Sequence, residues 1–447
     1  EEILSKLNQK QSLITEDGHH IGITNTIERL NLLYPNDYSI AFENRGLRER
    51  VYNASIHRTD GTGAYNTFPI IVKTARLRAE KAQLMGYKNY ASYSLSKTMA
   101  KNTDNVYAFL RQMIEAYKPK SEAQTKAIEE YAQKTEGADF RLQPYDRFYY
   151  SAKMKKDQYS FSDDDVKPYF NLDSVLVNGI FYAAHRVYGL SFRERKDIPT
   201  YHKDMKVFDV IDADGKQLAL FYCDYFRRPT KRGGAWMSAF LKQSGDRQQK
   251  PLIFNVCNYA KAPEGQPTLL TWDETQTMFH EFGHALHGLF ASQKYETLAG
   301  TNTPRDFVEM PSQFNEHWMT DSLVLRHYAR HYKTGEAMPQ ALIDKLKATA
   351  TYGQSYSLAE NLAAVALDMA WGMLPAGQTI KDVDAFERDV LTRAGLDFAL
   401  VPPRYRSAYY LHVFAGAYAS GYYSYLWTEV LDHNIYEWFA AHGGLTR

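Results

Sequence analysis

Residues 280–284 read His-Glu-Phe-Gly-His inside an amphipathic run over 275–290. That periodicity predicts a helix. On a helix, side chains four residues apart share a face, separated by one turn and about 6 Å of rise, so the imidazoles of His280 and His284 can converge on one ion. Glu281 follows the first histidine and can reach a water on that ion without ligating the ion itself. Imidazole nitrogen suits Zn²⁺, and a working site needs a third protein ligand plus one position open to water. Cys223 and Cys257 are the only cysteines. Two thiols build neither a disulfide framework nor a four-cysteine zinc site, so the third ligand has to be a carboxylate or another histidine. Gly283 inside this helix costs about 1 kcal/mol relative to Ala, which points to close packing or a functional constraint.

Glu309 is the expected third ligand. It follows His284 after a loop that contains Asn302, Thr303 and Pro304, which leaves room for a second helix to return across the first. Glu316 lies one heptad on, could share that face, and is the competing candidate. The opposing reading makes His280 and His284 hydrogen-bonded core residues. Two buried imidazoles and a buried Glu281 would then each need a separate partner. His287 reads as a packing group or a support for the ligands, and His317 and His433 as ordinary histidines.

The remaining pattern is mostly helical. Helices are expected over 105–117, 121–131 and 173–188, the last closed by Gly189, and almost continuously after Pro304. A β-hairpin is expected from strands 206–211 and 217–224 around Asp212-Ala-Asp-Gly215, with a third strand over 252–259 just before the metal helix. At 447 residues the length alone suggests about three domains. No Pro/Gly/Ser-rich linker separates independent units, so a single catalytic region over 1–447 is expected. Lys plus Arg number 53 against 52 for Asp plus Glu, a balance that argues against a nucleic-acid partner. No apolar run approaches the roughly 20 residues that span a bilayer. A monomer in the cytoplasm is the expectation, with the bacterial periplasm as the alternative; the first residue is Glu1, and no targeting segment is legible.

Several blocks beside the metal helix resemble one family. They are 145–150 (Tyr-Asp-Arg-Phe-Tyr-Tyr), 228–236 (Arg-Pro-Thr-Lys-Arg-Gly-Gly-Ala-Trp), 255–259 (Asn-Val-Cys-Asn-Tyr), 304–309 (Pro-Arg-Asp-Phe-Val-Glu) and 311–318 (Pro-Ser-Gln-Phe-Asn-Glu-His-Trp). Together with His280-Glu281-x-x-His284 they are similar to the M3 family of zinc metallopeptidases, the thimet oligopeptidase family, and within it to the peptidyl-dipeptidase (dipeptidyl carboxypeptidase) branch. The resemblance covers essentially the whole chain. It implies a mainly α, zincin-like catalytic domain with a small β-sheet beside the zinc helix, one Zn²⁺ on His280, His284 and Glu309, and Glu281 as general base. It also implies a deep channel for short peptides, with 1–150 in its helical wall and 151–447 forming the zinc-binding core. Tyr145 stands where many members have Trp. Members also extend beyond both ends of this chain, so a truncated catalytic region is expected.

The stretch 405–427 is dense in tyrosine. Peptide hydrolysis builds negative charge on the former carbonyl oxygen, and Tyr hydroxyl and His N–H are suitable neutral donors to it. The alternative is a Tyr-rich core helix. The family's His…Tyr…Tyr-Tyr-x-Tyr block implies that His412 and Tyr418 bind substrate and that Tyr425 is the oxyanion donor. Tyr422 and Asn258 are further substrate-binding candidates. Release of C-terminal dipeptides needs a group that holds the free carboxylate, and Arg404, Arg406, Lys231 and Arg232 are candidates. An extended peptide is expected to add to a sheet edge along 252–259. The rival readings are an endo-acting oligopeptidase without a carboxylate anchor, another type of zinc enzyme such as an aminopeptidase, and a non-catalytic peptide-binding module.

Overall fold

The computed structural model describes residues 43–446; the sequence expectations for residues 1–42 lie outside them. In chain order the helices are α1 (Arg45–Ile56), α2 (Phe68–Leu84), α3 (Tyr90–Leu95), α4 (Thr103–Glu136), α5 (Arg147–Tyr159) and α6, the helical segment 172–188. Strands β1 (Ser191–Glu194), β2 (Lys206–Ile211), β3 (Gln217–Phe226), β4 (Trp236–Leu241) and β5 (Leu252–Tyr259) follow. Then come α7 (Trp272–Leu289), α8 (Arg305–Val308), α9 (Met310–Thr320), α10 (Ser322–Tyr328), α11 (Gln340–Ala348), α12 (Gln354–Gly372), α13 (Val383–Ala394), α14 (Leu411–Phe414) and α15 (Ser424–Ala441). The fold is mainly α with one small sheet.

Two compact units divide the chain, and neither is continuous in sequence. The first takes residues up to Phe161 and 348–423; the second takes 162–347 and the residues from Ser424 on. The first unit is helical. Its α4 merges the two helices expected over 105–117 and 121–131, and it contains Pro119. The ring removes one backbone donor, but Pro119 is exposed, where water can serve the carbonyl released one turn back, and the buried Leu110, Tyr117 and Ile128 keep the helix seated on both sides. Ile128 and Ala132 then pack with Leu142, Tyr150 and Met154 in one of the unit's core clusters.

The second unit carries the sheet, in the order β1-β2-β3-β5-β4. The expected hairpin forms, with Phe208 opposite Phe221 and Val210 opposite Ala219 in antiparallel β2 and β3. β5 runs parallel to β3, with Leu220 opposite Leu252 and Asp224 opposite Val256. The expectation that 252–259 offers a sheet edge is corrected here. β4 pairs antiparallel along the other side of β5, Trp236 opposite Val256, so β5 is internal and β4 holds the edge. β4 escapes a sequence reading because its half-exposed residues lack a clean two-residue alternation. The segment 172–188 is helical as expected, ends at Gly189 with φ +75°, and is π-helical over Val175–Phe181. After Pro304 the chain is less continuously helical than its pattern suggests, because 395–423 holds only two short helical pieces between turns.

The sheet positions α7. Phe282 packs edge-on to Phe221 of β3 with ring centroids 5.3 Å apart, and lies 5.8 Å from Phe181 of α6. Gly288 lets the helix lie close: a Cβ there would come within 2.8 Å of Ile253 on β5 and 2.5 Å of Met237 on β4.

Candidate metal centre

α7 begins on a capping box in which the Thr271 hydroxyl accepts from the Glu274 N–H and the Glu274 side chain accepts from the Thr271 N–H. The opposite side of this helix meets α9. Gly283 sits at the crossing, where a Cβ would lie 2.5 Å from Pro311 O, 2.6 Å from Ser312 Cα and 2.8 Å from Asn315 Cβ. Only a residue without a side chain lets the two backbones approach this closely. Asn315 Nδ2 then donates to Phe279 O at 2.6 Å, joining the pair with a buried hydrogen bond.

Glu309 lies at the junction of α8 and α9, where the chain leaves helical geometry at Asp306 and restarts with Pro311 in the first turn of α9. The break turns its carboxylate inward. Glu309 Oε2 lies 2.9 Å from His284 Nε2 and 3.3 Å from His280 Nε2. One ligand atom from each of the three residues falls within 4.8 Å of the others. Ser312 Oγ donates to the same Oε2 at 3.2 Å. Glu316, the competing ligand, stands behind His280: its Oε1 is 2.6 Å from His280 Nδ1. Gln276 donates to its other oxygen. A metal-binding imidazole held at its far nitrogen by a carboxylate has its tautomer and ring direction fixed.

The charges point the same way. Burial opposes an imidazolium at His280, yet Glu309 and Glu316 outweigh it and hold the His280 pKa well above its ordinary value. Burial would raise Glu309, but His284 and His280 hold it well below the ordinary carboxylate value. The pocket between these side chains therefore favours a positive charge, which a divalent cation would supply in place of a shared proton. Glu281 differs. It is 5% exposed, and Oε2 has no hydrogen-bond partner among the described residues. Burial raises its pKa above the ordinary 4.5, against the pull of His280 and His284. A buried carboxylate with one orphaned oxygen, beside two imidazoles and the Glu309 carboxylate, suits a metal with one open position for water, and the donor set of two imidazoles and one carboxylate suits zinc.

The tyrosine-rich stretch is split between the units at Ser424. Tyr425 opens α15 in the same unit as the metal ligands, and its carbonyl accepts from Gln313 Nε2 at 2.9 Å, one turn beyond Glu309 on α9. His412, Tyr418 and Tyr422 belong to the other unit and share one aromatic cluster there. The His412 ring is 6.0 Å from Tyr418 and 5.4 Å from Tyr422. Tyr422 is buried among these rings and those of Tyr405 and Tyr410. Asn258 Nδ2 donates to the carbonyls of Arg232 and Gly234 at 2.9 and 2.7 Å, which ties down the glycine-containing loop 228–236.

Three of the four expected carboxylate anchors are already paired. Lys231 Nζ donates to Asp224 Oδ1 at 3.0 Å and to the carbonyls of Phe226 and Cys257. Arg404 pairs with Glu360 at 2.6 Å, and Arg406 with Glu387 at 3.0 Å and with Asp384. Arg232 is exposed and lies over the Trp236 ring at 4.5 Å. The knot of Asp224 with Arg228 and Lys231 was not foreseen, although one acid followed by two bases at four and seven residues is visible in the sequence. His317 contacts Asp432 at 2.9 Å, while His433 Nδ1 is 2.9 Å from Glu429 O in its own helix.

Two imidazoles one turn apart and a carboxylate delivered by a crossing helix could hold one metal ion, and the buried glutamate beside them is placed as a base would be in a single-metal hydrolytic centre. Residues 40–447 match the profile of peptidase family M3, and the chain belongs to that family. Dipeptidyl carboxypeptidase of Escherichia coli (strain K12) is 43% identical over 403 residues, which cover 90% of this chain and 59% of that protein. Oligopeptidase A of the same organism is 34% identical over 417 residues, 91% of this chain and 60% of that protein. The organellar oligopeptidase A of Arabidopsis thaliana is 33% identical over 413 residues, 89% of this chain and 51% of that protein. The chain spans about three-fifths of the length of the two bacterial relatives. Among the described residues no helix is long and apolar enough to cross a membrane.

Proposed function

We propose that this chain hydrolyses peptide bonds in short peptides with one zinc ion held by His280, His284 and Glu309, and that it releases C-terminal dipeptides. The observation that carries the metal assignment is the approach of both Nε2 atoms to one Glu309 oxygen, at 2.9 and 3.3 Å. The 43% identity to a protein named dipeptidyl carboxypeptidase supports the dipeptide reading. Zinc bound there would supply Lewis acidity that acidifies a water and polarises the scissile carbonyl. Glu281 accepts the proton of the attacking water and returns it to the departing amine nitrogen; a raised pKa brings it nearer the operating pH and suits both tasks. The Tyr425 hydroxyl donates to the oxygen that gains charge. His412 and Tyr418 bind the peptide, Tyr422 supports their rings, and Asn258 acts by holding the 228–236 loop.

Of the four expected anchors, Arg232 alone has no carboxylate partner among the described residues, so it is assigned to the substrate carboxylate. With β5 internal, the edge strand on its side of the sheet is β4, Trp236–Leu241, and an extended peptide would add there. The chain is assigned to the cytoplasm, and two buried free thiols agree with a reducing compartment.

The test is mass spectrometry of a nonapeptide incubated with the zinc-loaded chain, given as free acid and as C-terminal amide. Dipeptides should appear from the acid, the amide should be nearly inert, and Glu281→Gln should retain zinc without forming products. Equal cleavage of acid and amide would favour the endo-acting reading. Zinc binding without any cleavage would leave a peptide-binding module.

A further inference from the structure

Asp368 is the one acidic residue in the otherwise apolar stretch 362–372 of α12, and it is fully buried. Both of its oxygens are spent on one turn of the tyrosine-rich segment. Oδ1 accepts the Ser420 N–H at 2.7 Å, and Oδ2 accepts those of Gly421 and Tyr422 at 2.9 Å each. One buried carboxylate thus gathers three successive amides and fixes the direction of the turn. Ser420 has φ +53°, left-handed geometry that a non-glycine residue adopts only when its surroundings impose it.

The same turn is held from other sides. Ser94 Oγ donates to Ala419 O at 3.1 Å. Gly372 leaves no space above it, since a Cβ there would lie 1.8 Å from Ser420 Oγ and 3.1 Å from Ser420 Cβ. At the other end of the segment, Arg78 Nη2 donates to Val413 O at 2.7 Å. Between these ties the chain closes on itself: the Tyr418 N–H donates to His412 O at 3.0 Å, and the Gly421 N–H to Tyr418 O at 2.8 Å. His412 and Tyr418 thus hang on a turn whose conformation depends on a buried carboxylate. Burying a carboxyl group is costly unless it is hydrogen-bonded, and here three amides serve it. What the tie provides is direction.

We propose that Asp368 is a positioning residue for substrate binding: by gathering the amides of Ser420, Gly421 and Tyr422 it fixes the turn from which His412 and Tyr418 meet the peptide. The proposal rests on the assignment of His412 and Tyr418 to substrate binding made above. Asp368 touches no substrate itself and acts through the backbone of the turn.

The test compares wild type, Asp368→Asn, Tyr418→Phe and the double variant, with kcat and KM measured on one nonapeptide, zinc content, and amide hydrogen exchange over 418–423. Asp368→Asn replaces one acceptor oxygen with an NH₂ group that faces an N–H. Exchange at 420–422 should quicken while zinc content holds. KM should rise roughly tenfold, the scale of about one lost hydrogen bond to the peptide, with a smaller change in kcat. The double variant should be no worse than the worse single one, because both changes remove the same contact. Unchanged KM in Asp368→Asn, or losses that multiply in the double variant, would overturn the proposal. If exchange quickens but Tyr418→Phe has wild-type KM, the error lies in the substrate-binding assignment, and the positioning role of Asp368 falls with it. Should Asp368→Asn not fold, Gly372→Val displaces the same turn from above and must give the same rise in KM; a wild-type KM there would equally overturn the proposal.

Discussion

Glu316 stands behind His280, where it would tune the affinity of the proposed zinc site without being a ligand. Its Oε1 at 2.6 Å from His280 Nδ1 fixes which ring nitrogen carries the proton and turns Nε2 toward Glu309. Glu316→Gln should therefore weaken zinc binding by about tenfold to a hundredfold, read by competition with a chelating dye, while the fold holds. Asp224 shows a different residue-scale effect. Burial alone would raise its pKa, but Arg228, Tyr201 and Lys231 together bring it down to about 2 from an ordinary 3.8. The folded carboxylate is therefore favoured above pH 4, and that stability is lost as pH falls from about 4 to 2. A fall from 3.8 to about 2 corresponds to about 2 kcal/mol. Asp224→Asn should remove this part of the pH dependence, so a stability–pH curve from urea unfolding should be flatter below pH 4 in the variant. A curve as steep as wild type would show that the Asp224 knot does not hold the charge.

At the scale of elements, the proposed metal centre depends on two helices crossing at a glycine. A Cβ at Gly283 would press on Pro311 O and Ser312 Cα, which are backbone atoms, so the whole of α9 would have to move and Glu309 with it. Gly283→Ala removes a helix-breaking residue and gains about 1 kcal/mol of helix propensity. Overpacking the crossing should cost about 1–3 kcal/mol. The expected result is a lower Tm together with weaker zinc affinity; a more stable variant with unchanged affinity would contradict this account of the crossing. The same crossing explains how far the sequence could be read. His280, Glu281 and His284 were legible because a fixed spacing on one helix translates directly into a shared face. Glu309 was the expected ligand, but spacing alone left Glu316 as its competitor, since residues seven apart share a face on an unbroken helix. The break at Asp306 and the restart at Pro311 separate them by sending one carboxylate to the metal pocket and the other to the back of His280.

At the scale of the whole molecule, helical periodicity and the family resemblance carried the mainly α fold, and the hairpin was plain from its Asp-Ala-Asp-Gly turn. Pairings between distant segments were not. β4 sits between β3 and β5 in the chain yet takes the sheet edge, which no local pattern announces. Asp368 meets Ser420 across 52 residues, and its only trace in the sequence is one acid among apolar neighbours. Arg404, Arg406 and Lys231 each found carboxylate partners that spacing does not reveal. Buried polar ties between elements are where reading by period fails, and here they surround the residues assigned to substrate.

The most direct measurement is a zinc titration of the metal-free chain by calorimetry, run in parallel on wild type and Glu309→Ala. Wild type should take up one zinc per chain, with peptide hydrolysis rising in step with occupancy, and Glu309→Ala should lose most of that affinity while remaining folded. Failure of wild type to bind zinc, or binding that Glu309→Ala leaves unchanged, would contradict the account.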